Sequence, residues 1–322
     1  MKHHSNQVKT NVAFKDYTVH MTCYNLHMRP TFFTERFDEM NRRSFLKQIL
    51  GSALTLIGLG GGTYYYAREI EPTLLSITEN TIQSSKIPTD FQNYKIIQFT
   101  DTHIGFHYSI EQLKELVSKI NAENPDIILF TGDLVDVPHS FKWDGELIET
   151  LSSLQAPDGK YWIYGNHDHG GFGTNKIKDV MSGSDFTLLQ NSSVIIRKGD
   201  GRMNIAGLDD VMLGQPDLNK TFHELDTDLF TILLVHEPDY ADKVADYPAD
   251  VQISGHSHGG QVRFPFIGHL YTPAFAEKYV KGKYQINDNL TLYVSKGIGT
   301  TRLPYRFLCK PEFNVYTLKS YE

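Results

Sequence analysis

The 322-residue sequence predicts an α/β body, with two β-sheets packed face to face and helices outside. Three observations lead there. Short apolar runs alternate with stretches of helical period from Tyr94 onward. The first three runs each end in a cluster of Asp, His or Asn. The second half is richer in strand-like runs, enough for a second sheet.

The elements follow in order. Lys95-Ile-Ile-Gln-Phe-Thr100 reads as a strand and stops at Asp101-Thr-His103. Ile110, Leu113, Leu116, Val117 and Ile120 fall at helical spacing, and Asn124-Pro125-Asp126 ends that helix. Ile127-Ile-Leu-Phe-Thr131 is a second strand, buried by its composition, and it stops at Gly132-Asp133. Leu147, Ile148, Leu151 and Leu154 mark the next helix, and Pro157-Asp-Gly159 is a turn. Tyr161-Trp-Ile-Tyr164 is a third strand and runs into Gly165-Asn166-His167-Asp168. Residues 193–197, 203–208, 230–235, 251–254, 290–295 and 313–318 also read as strands, with a helix over 240–245. Run 230–235 ends in His236-Glu-Pro238, and run 251–254 leads to Gly255-His256-Ser-His258. In layered α/β sheets ligands bind outside the carboxyl ends of strands, where each of these clusters falls.

Composition narrows the function. Hydrophobic content of 40% and charged content of 21% are ordinary for a globular protein. Two cysteines, Cys23 and Cys309, make neither a disulfide framework nor a Cys-based zinc site. The stretch through Ala67 holds 8 basic and 4 acidic residues, which leaves 23 basic against 34 acidic in the rest. An acidic body speaks against nucleic acid as a partner, because phosphate backbones are held by basic surface.

The N-terminal stretch has its own organisation. Residues 1–39 are polar and without period. Met40 opens Met-Asn-Arg42-Arg43-Ser-Phe45-Leu46-Lys47, and a Gly-rich apolar run from Ile49 to Tyr66 follows. A charged segment before an apolar one is the order of an export signal. Arg-Arg-x-Phe-Leu-Lys resembles the twin-arginine signal, with Asn41 where Ser or Thr is usual. That resemblance implies passage through the twin-arginine export machinery as a folded protein. Residues 1–39 are then an extension ahead of a start at Met40, residues 40–67 the signal and candidate anchor, residues 68–90 a linker, and residues 91–322 the body. The run is barely long enough to cross a bilayer, and no small-x-small cleavage pattern follows it. An uncleaved anchor on the outer face of the cytoplasmic membrane and a released, wall-associated protein both fit.

The strand ends together supply Asp101, His103, Asp133, Asn166, His167, His236, His256 and His258. Carboxylate, imidazole and one amide suit manganese, iron or zinc. The set is too nitrogen-rich for a calcium cage and too large for one tetrahedral zinc, whereas two adjacent ions would use it all. Asp-x-His, Gly-Asp, Gly-Asn-His-Asp, a lone His and Gly-His-x-His, in this order from Tyr94 on, resemble the calcineurin-like dinuclear metallophosphoesterases. With the export signal, the likeness is to their YkuE-like bacterial subgroup.

The resemblance implies a four-layer sandwich, two packed mixed β-sheets flanked by helices, and two divalent ions per chain. It implies that Asp101, His103 and His258 hold one ion, that Asn166, His236 and His256 hold the other, and that Asp133 bridges them. His167 would contact the phosphoryl group as charge stabiliser or acid, and Asp168 would orient His167. The implied activity is hydrolysis of phosphodiester or pyrophosphate bonds by in-line attack of a metal-bridging hydroxide. The substrate would be a phosphoester at the outer membrane face or cell wall, lipid-linked or wall-linked. Two alternatives stay open: a pyrophosphohydrolase of nucleotide-sugar lipids, and a metal-binding scaffold of this fold without turnover.

Other residues read more plainly. Asp136 is expected to be a helix-start or turn residue, His107 and His169 surface histidines, Asp209-Asp210 a solvated turn, and Cys309 a small buried hydrophobe. Arg302 and Arg306 are candidates for bidentate contact with the substrate phosphate. Specificity is expected from loops 106–109, 137–144, 170–175 and 264–283. The last carries Phe264, Phe266, Tyr271, Phe275 and Tyr279 and reads either as a lid that contacts lipid or base or as a packed loop, the commoner case for aromatic loop residues.

Overall fold

A computed structural model describes residues 42–143, 145–169, 173–223 and 225–321. The extension expected over residues 1–39 lies outside the described residues. The chain divides into two compact units, Met1–Ala53 and Leu54–Glu322. The described part of the first is helical. Helix α1 (Arg42–Tyr65) begins at the arginine pair and runs through the glycine-rich stretch. Together with the turns up to Thr73 it contains a window long and apolar enough to cross a membrane.

The second unit holds both sheets. The first is built from β1 (Ser76–Ser84), β2 (Lys95–Phe99), β3 (Ile127–Phe130), β4 (Lys160–Trp162), β5 (Phe186–Leu188) and β14 (Glu312–Ser320), in the order β1-β14-β2-β3-β4-β5. The second is built from β6 (Ser192–Lys198), β7 (Gly201–Gly207), β8 (Thr231–Leu234), β9 (Val251–Ser254), β12 (Gly282–Gln285) and β13 (Thr291–Val294), in the order β12-β13-β9-β8-β7-β6. A small ribbon pairs β10 (Arg263–Phe264) with β11 (Gly268–His269). Both sheets are mixed. Strands β2 to β5 run parallel with β14 antiparallel beside β2. Strands β7, β8, β9 and β13 run parallel with antiparallel strands at both edges.

Helices cover the outer faces. They are α2 (Ile110–Ala122), α3 (Glu146–Ser152), α5 (Thr174–Gly183), α6 (Leu218–His223) and α7 (Ala241–Val244), whereas the short α4 (Asn166–His169) lies just beyond the end of β4. Alternation along β3 shows how four layers arise. Ile127 and Leu129 pack between the sheets with Ile232, Leu234 and Ile253, while Ile128 and Phe130 pack outward on Leu113, Leu116 and Leu147. Leu233 of β8 likewise faces out to Phe222 and Val244. A central strand buried on both faces has no polar side, so these strands read as unbroken apolar runs. The start of α2 is set by a capping box, in which Ser109 and Gln112 each accept the other's backbone N–H.

The linker expected over residues 68–90 is instead largely structured. Its centre is β1, which pairs in parallel with β14 from Ser76↔Glu312 to Ser84↔Ser320. The stretch looks polar because an edge strand buries little: among its nine residues only Ile82 is buried.

Candidate metal centre

Five chain segments meet where the central strands of both sheets end. The turn after β2 brings Asp101 and His103, that after β3 brings Asp133, and α4 begins with Asn166 and His167 just beyond β4. From the second sheet, His236 follows β8, and His256 and His258 follow β9. Asp101, His103, Asp133, His236, His256 and His258 are all buried.

Asp101, His103, Asp133, His256 and His258 also share positive φ, from 44° to 66°. Left-handed backbone is unusual for residues with a Cβ, and its clustering here means surrounding bonds enforce it. Two glycines permit the close packing. A Cβ on Gly165 would collide with the Asp133 carboxylate, and one on Gly255 with that of Asp101.

Side-chain atoms able to hold a metal ion fall into overlapping groups, Asp101–His103–His258, His103–Asp133–His167 and Asp133–His236–His256, each spanning at most 4.8 Å. Asp133 joins the ends of this chain. Its Oδ2 lies 3.5 Å from His103 Nε2 and 3.2 Å from His236 Nε2. His258 Nε2 is 3.4 Å from Asp101 Oδ1.

Hydrogen bonds on the far side of each ring decide which nitrogen faces the centre. His236 Nδ1–H donates to the Thr131 carbonyl at 2.6 Å, leaving Nε2 buried without a hydrogen-bond partner among the described residues. His256 Nε2–H donates to the Ala274 carbonyl at 2.9 Å, leaving Nδ1. His103 Nδ1–H donates to Asp136 Oδ1 at 3.1 Å, so its Nε2 lone pair faces His258 Nε2, also 3.1 Å away. His258 Nδ1 has no partner among the described residues to fix its tautomer, so either a proton or a metal ion can lie between the two Nε2 atoms. Asn166 Oδ1 is another buried oxygen without a partner among the described residues. These converging N and O atoms, two of them (His236 Nε2 and Asn166 Oδ1) without a partner among the described residues, fit divalent metal ions.

Charge tells the same story. Burial first, then the neighbouring His236 charge, pushes His256 down to about 3, so it is neutral in the ligating form at pH 7. Burial and then His103 hold His258 well below its ordinary value. Burial disfavours a charged His236, but the Asp133 carboxylate outweighs it and raises that imidazole well above its usual range. A metal ion would have to displace that proton, which makes binding weaker in acid.

A profile of calcineurin-like phosphoesterases matches residues 94–260. The chain belongs to that family. The metallophosphoesterase YkuE of Bacillus subtilis (strain 168) is 47% identical over 88% of this chain and 99% of its own. Phosphodiesterase YaeI of Escherichia coli (strain K12) is 26% identical over 87% of this chain and 99% of its own. UDP-2,3-diacylglucosamine pyrophosphatase LpxG of Chlamydia trachomatis is 28% identical over 82% of this chain and 95% of its own. The chain is thus a metal-dependent phosphoester hydrolase by membership, and the two mixed sheets flanked by helices are the expected fold.

Several expectations need correction. Asp168 does not hold the His167 ring. Its buried carboxylate accepts the backbone N–H groups of Asp133, Leu134 and Gly165 at 2.8, 3.0 and 2.9 Å, so it shapes the turn that presents Asp133. Burial, then the Asp133 charge, pushes its carboxyl up to about 6 against those donors. The group that orients His167 is Asp136, whose carbonyl accepts His167 Nδ1–H at 2.6 Å while its carboxylate holds His103. Asp136 is therefore part of the site, and its signal was the second carboxylate in Gly132-Asp133-Leu-Val-Asp136.

Arg306 is fully buried and donates to the carbonyls of Lys296, Gly297, Gly299 and Cys309 at 2.6–3.2 Å, which removes it as a phosphate contact. Arg302 stays near the surface, its guanidinium stacked 5.1 Å from the Tyr271 ring centre. Asp209 and Asp210 are buried rather than solvated, and His169 bonds Asp209 at 2.8 Å. Cys309 is buried as expected.

Proposed function

We propose that this protein is an exported, membrane-associated hydrolase of phosphodiester or pyrophosphate bonds, working with two divalent metal ions. The observation that carries the two-ion reading is Asp133 Oδ2, set between an imidazole of each ligand group, His103 on one side and His236 on the other. Asp101, His103 and His258 would hold one ion, and Asn166, His236 and His256 the other, with Asp133 shared. Bound ions of this kind supply Lewis acidity and ready water for attack on phosphorus.

The protein's own groups do the rest. His167 is fixed at both ends, its backbone N–H on Asp133 Oδ1 at 2.8 Å and its ring Nδ1–H on the Asp136 carbonyl. Ring Nε2 is left for a substrate oxygen, to stabilise charge or deliver a proton to the leaving group. The amide of Asn166 is neutral, which limits the negative charge a phosphate must approach. The complete ligand set speaks against a scaffold without turnover.

Export is inferred from Arg42-Arg43 at the start of a helix of membrane-spanning length. A second reading, a nucleotide-sugar-lipid pyrophosphohydrolase, is favoured by the likeness to the LpxG enzyme. One assay tests the proposal. Full-length protein, stripped of metal and reloaded with manganese, should cleave a charged aryl phosphodiester faster than the matching monoester. Intact producing cells should cleave the same impermeant diester from outside. Purified protein with metal bound and no turnover would end the hydrolase reading, and activity only after lysis would end the export reading.

A further inference from the structure

Beside His258 opens a cleft of about 380 Å³, walled by Val262, Leu270, Tyr271, Pro273 and Leu303. That volume lies within the range of small-molecule sites. The surface its walls present is mostly apolar, although Gln261, Thr301, Arg302 and the candidate metal ligand His258 are among the lining residues. Leu270 and Leu303 remain 64% and 56% exposed at the rim. Large aliphatic side chains held in water beside a polar centre contribute nothing to the core, which is the pattern of a binding surface.

The apolar surface continues past the rim. The β10–β11 ribbon carries Phe266 and Ile267 at its tip, Phe266 fully exposed and Ile267 72% exposed. Phe266 has a φ of 66°, a turn conformation that suits Gly or Asn far better than an aromatic residue. The ribbon is stapled to the segment around Phe307: Arg263 N–H donates to the Phe307 carbonyl at 2.9 Å, and Phe307 N–H to that of Gln261 at 3.0 Å. That segment also receives the end of the membrane-length helical stretch. Arg306 N–H donates to the Ala67 carbonyl at 2.9 Å, and the buried Glu71 carboxylate accepts the N–H groups of Leu308 and Cys309. Helix end, exposed ribbon tip and cleft thus share one anchoring segment.

We propose that this face rests on the bilayer and that the cleft receives the hydrocarbon chain of a lipid phosphoester whose phosphoryl group enters the metal centre. The proposal deepens the hydrolase reading above and rests on it. The helix end locates the membrane, the ribbon tip supplies an apolar contact with it, and the cleft leads from there to His258. Arg302, stacked on Tyr271 at the cleft, offers a cation to the anionic headgroup.

The test uses the full chain in lipid nanodiscs and n-alkyl phosphonates from methyl to octyl, with affinity read by calorimetry. Each methylene buried should tighten binding by up to roughly fourfold. Leu303→Asp, at an exposed side chain, should flatten that slope, while uptake of the probe by the lipid disc is the same for both proteins. Thermal melting of the variant confirms its fold, and Leu270→Asp repeats the test on the opposite rim. A slope that is absent, or equal in wild type and both variants, overturns the proposal. A parallel series of p-nitrophenyl alkyl diesters separates it from the hydrolase reading. Hydrolysis of the methyl diester with chain-blind binding leaves the enzyme and removes the lipid cleft. Chain-dependent binding without hydrolysis keeps the cleft and removes the enzyme.

Discussion

Two carboxylates, Asp101 and Asp133, and the Asn166 amide reach the centre from strands of the first sheet, whereas the second sheet sends imidazoles, His236, His256 and His258. The first sheet also adds His103 and His167. Negative charge comes from one sheet alone, and two of the three candidate ligand groups draw on both sheets. The halves are joined by bonds that cross between them. Gln98 of β2 donates to the Ser254 carbonyl of β9 at 3.1 Å, His236 donates to Thr131, and the His256 N–H meets the Asp101 carboxylate at 3.0 and 3.1 Å. The difference teaches that the centre depends on how the sheets pack, so damage to the shared core of the sandwich should act on chemistry as well as on stability.

Three carboxylates, each replaced by its amide, test that division at growing distance from the shared point. Asp133→Asn should do most, because it alters the carboxylate proposed to be shared by both ligand groups. Turnover of an aryl diester should fall by at least roughly 10²–10³-fold, the scale of single electrostatic groups in catalysis. Metal should be lost at the same time. Two tightly held ions in that variant, counted by mass spectrometry after dialysis, would contradict the bridging role.

Asp136→Asn leaves every candidate ligand in place and alters the carboxylate that holds the far side of His103, lies 3.7 Å from His167 Nδ1 and accepts the Thr301 hydroxyl. Residues that orient metal-binding histidines typically matter 10–100-fold, so activity should drop by about that factor with the second sheet's ligands undisturbed. A wild-type rate would show that the Asp136 carboxylate has no part in positioning His103.

Asp209→Asn should matter least to catalysis and tests a tie outside the centre. His169 on α4 and Asp209 after β7 join the two halves through a 2.8 Å ion pair. Burial opposes charge on Asp209, yet His169 and the Gln215 N–H bring it down to about 2. Burial likewise opposes a charged His169, and Asp209 raises it above its ordinary value. The Asp209 share of stability is present above its unfolded pKa near 4 and lost as pH falls towards 2. The His169 share is present below its unfolded pKa near 6.5 and lost as pH rises through the higher folded value. The pair is therefore strongest between about pH 4 and 6.5, where Asp209→Asn should cost ~1 kcal/mol in thermal or urea unfolding. A loss that is flat from pH 4 to 9 would assign the effect to the neutral bonds of Asp209 with Gln190 and Gln215 instead.

The same contrast separates what was legible in the chain from what was not. The strands ending at Asp101, Asp133, Asn166, His236 and His256 are written locally, because a strand buried on both faces must be apolar until it leaves the sheet. A polar cluster right after such a run then stands out, and the ligand types within it limit the metal chemistry. Other roles depend on partners far along the chain. Asp136 gains its place only where His103, 33 positions away, folds against it. Asp168 looks like a partner for the neighbouring His167 until the turn points it at the backbone of Asp133. Arg306 resembles an anion contact in sequence, but four carbonyls from two converging loops claim its guanidinium. Strand β1 hides in a polar stretch because its pairing energy comes from β14, more than 230 residues later. The sequence by itself determined the order of strands, the residues at their ends and hence the family. Tertiary structure alone decided which carboxylate orients, which arginine is spent on the backbone, and which apolar side chains stay in water beside His258, since each of these depends on contacts no local pattern contains.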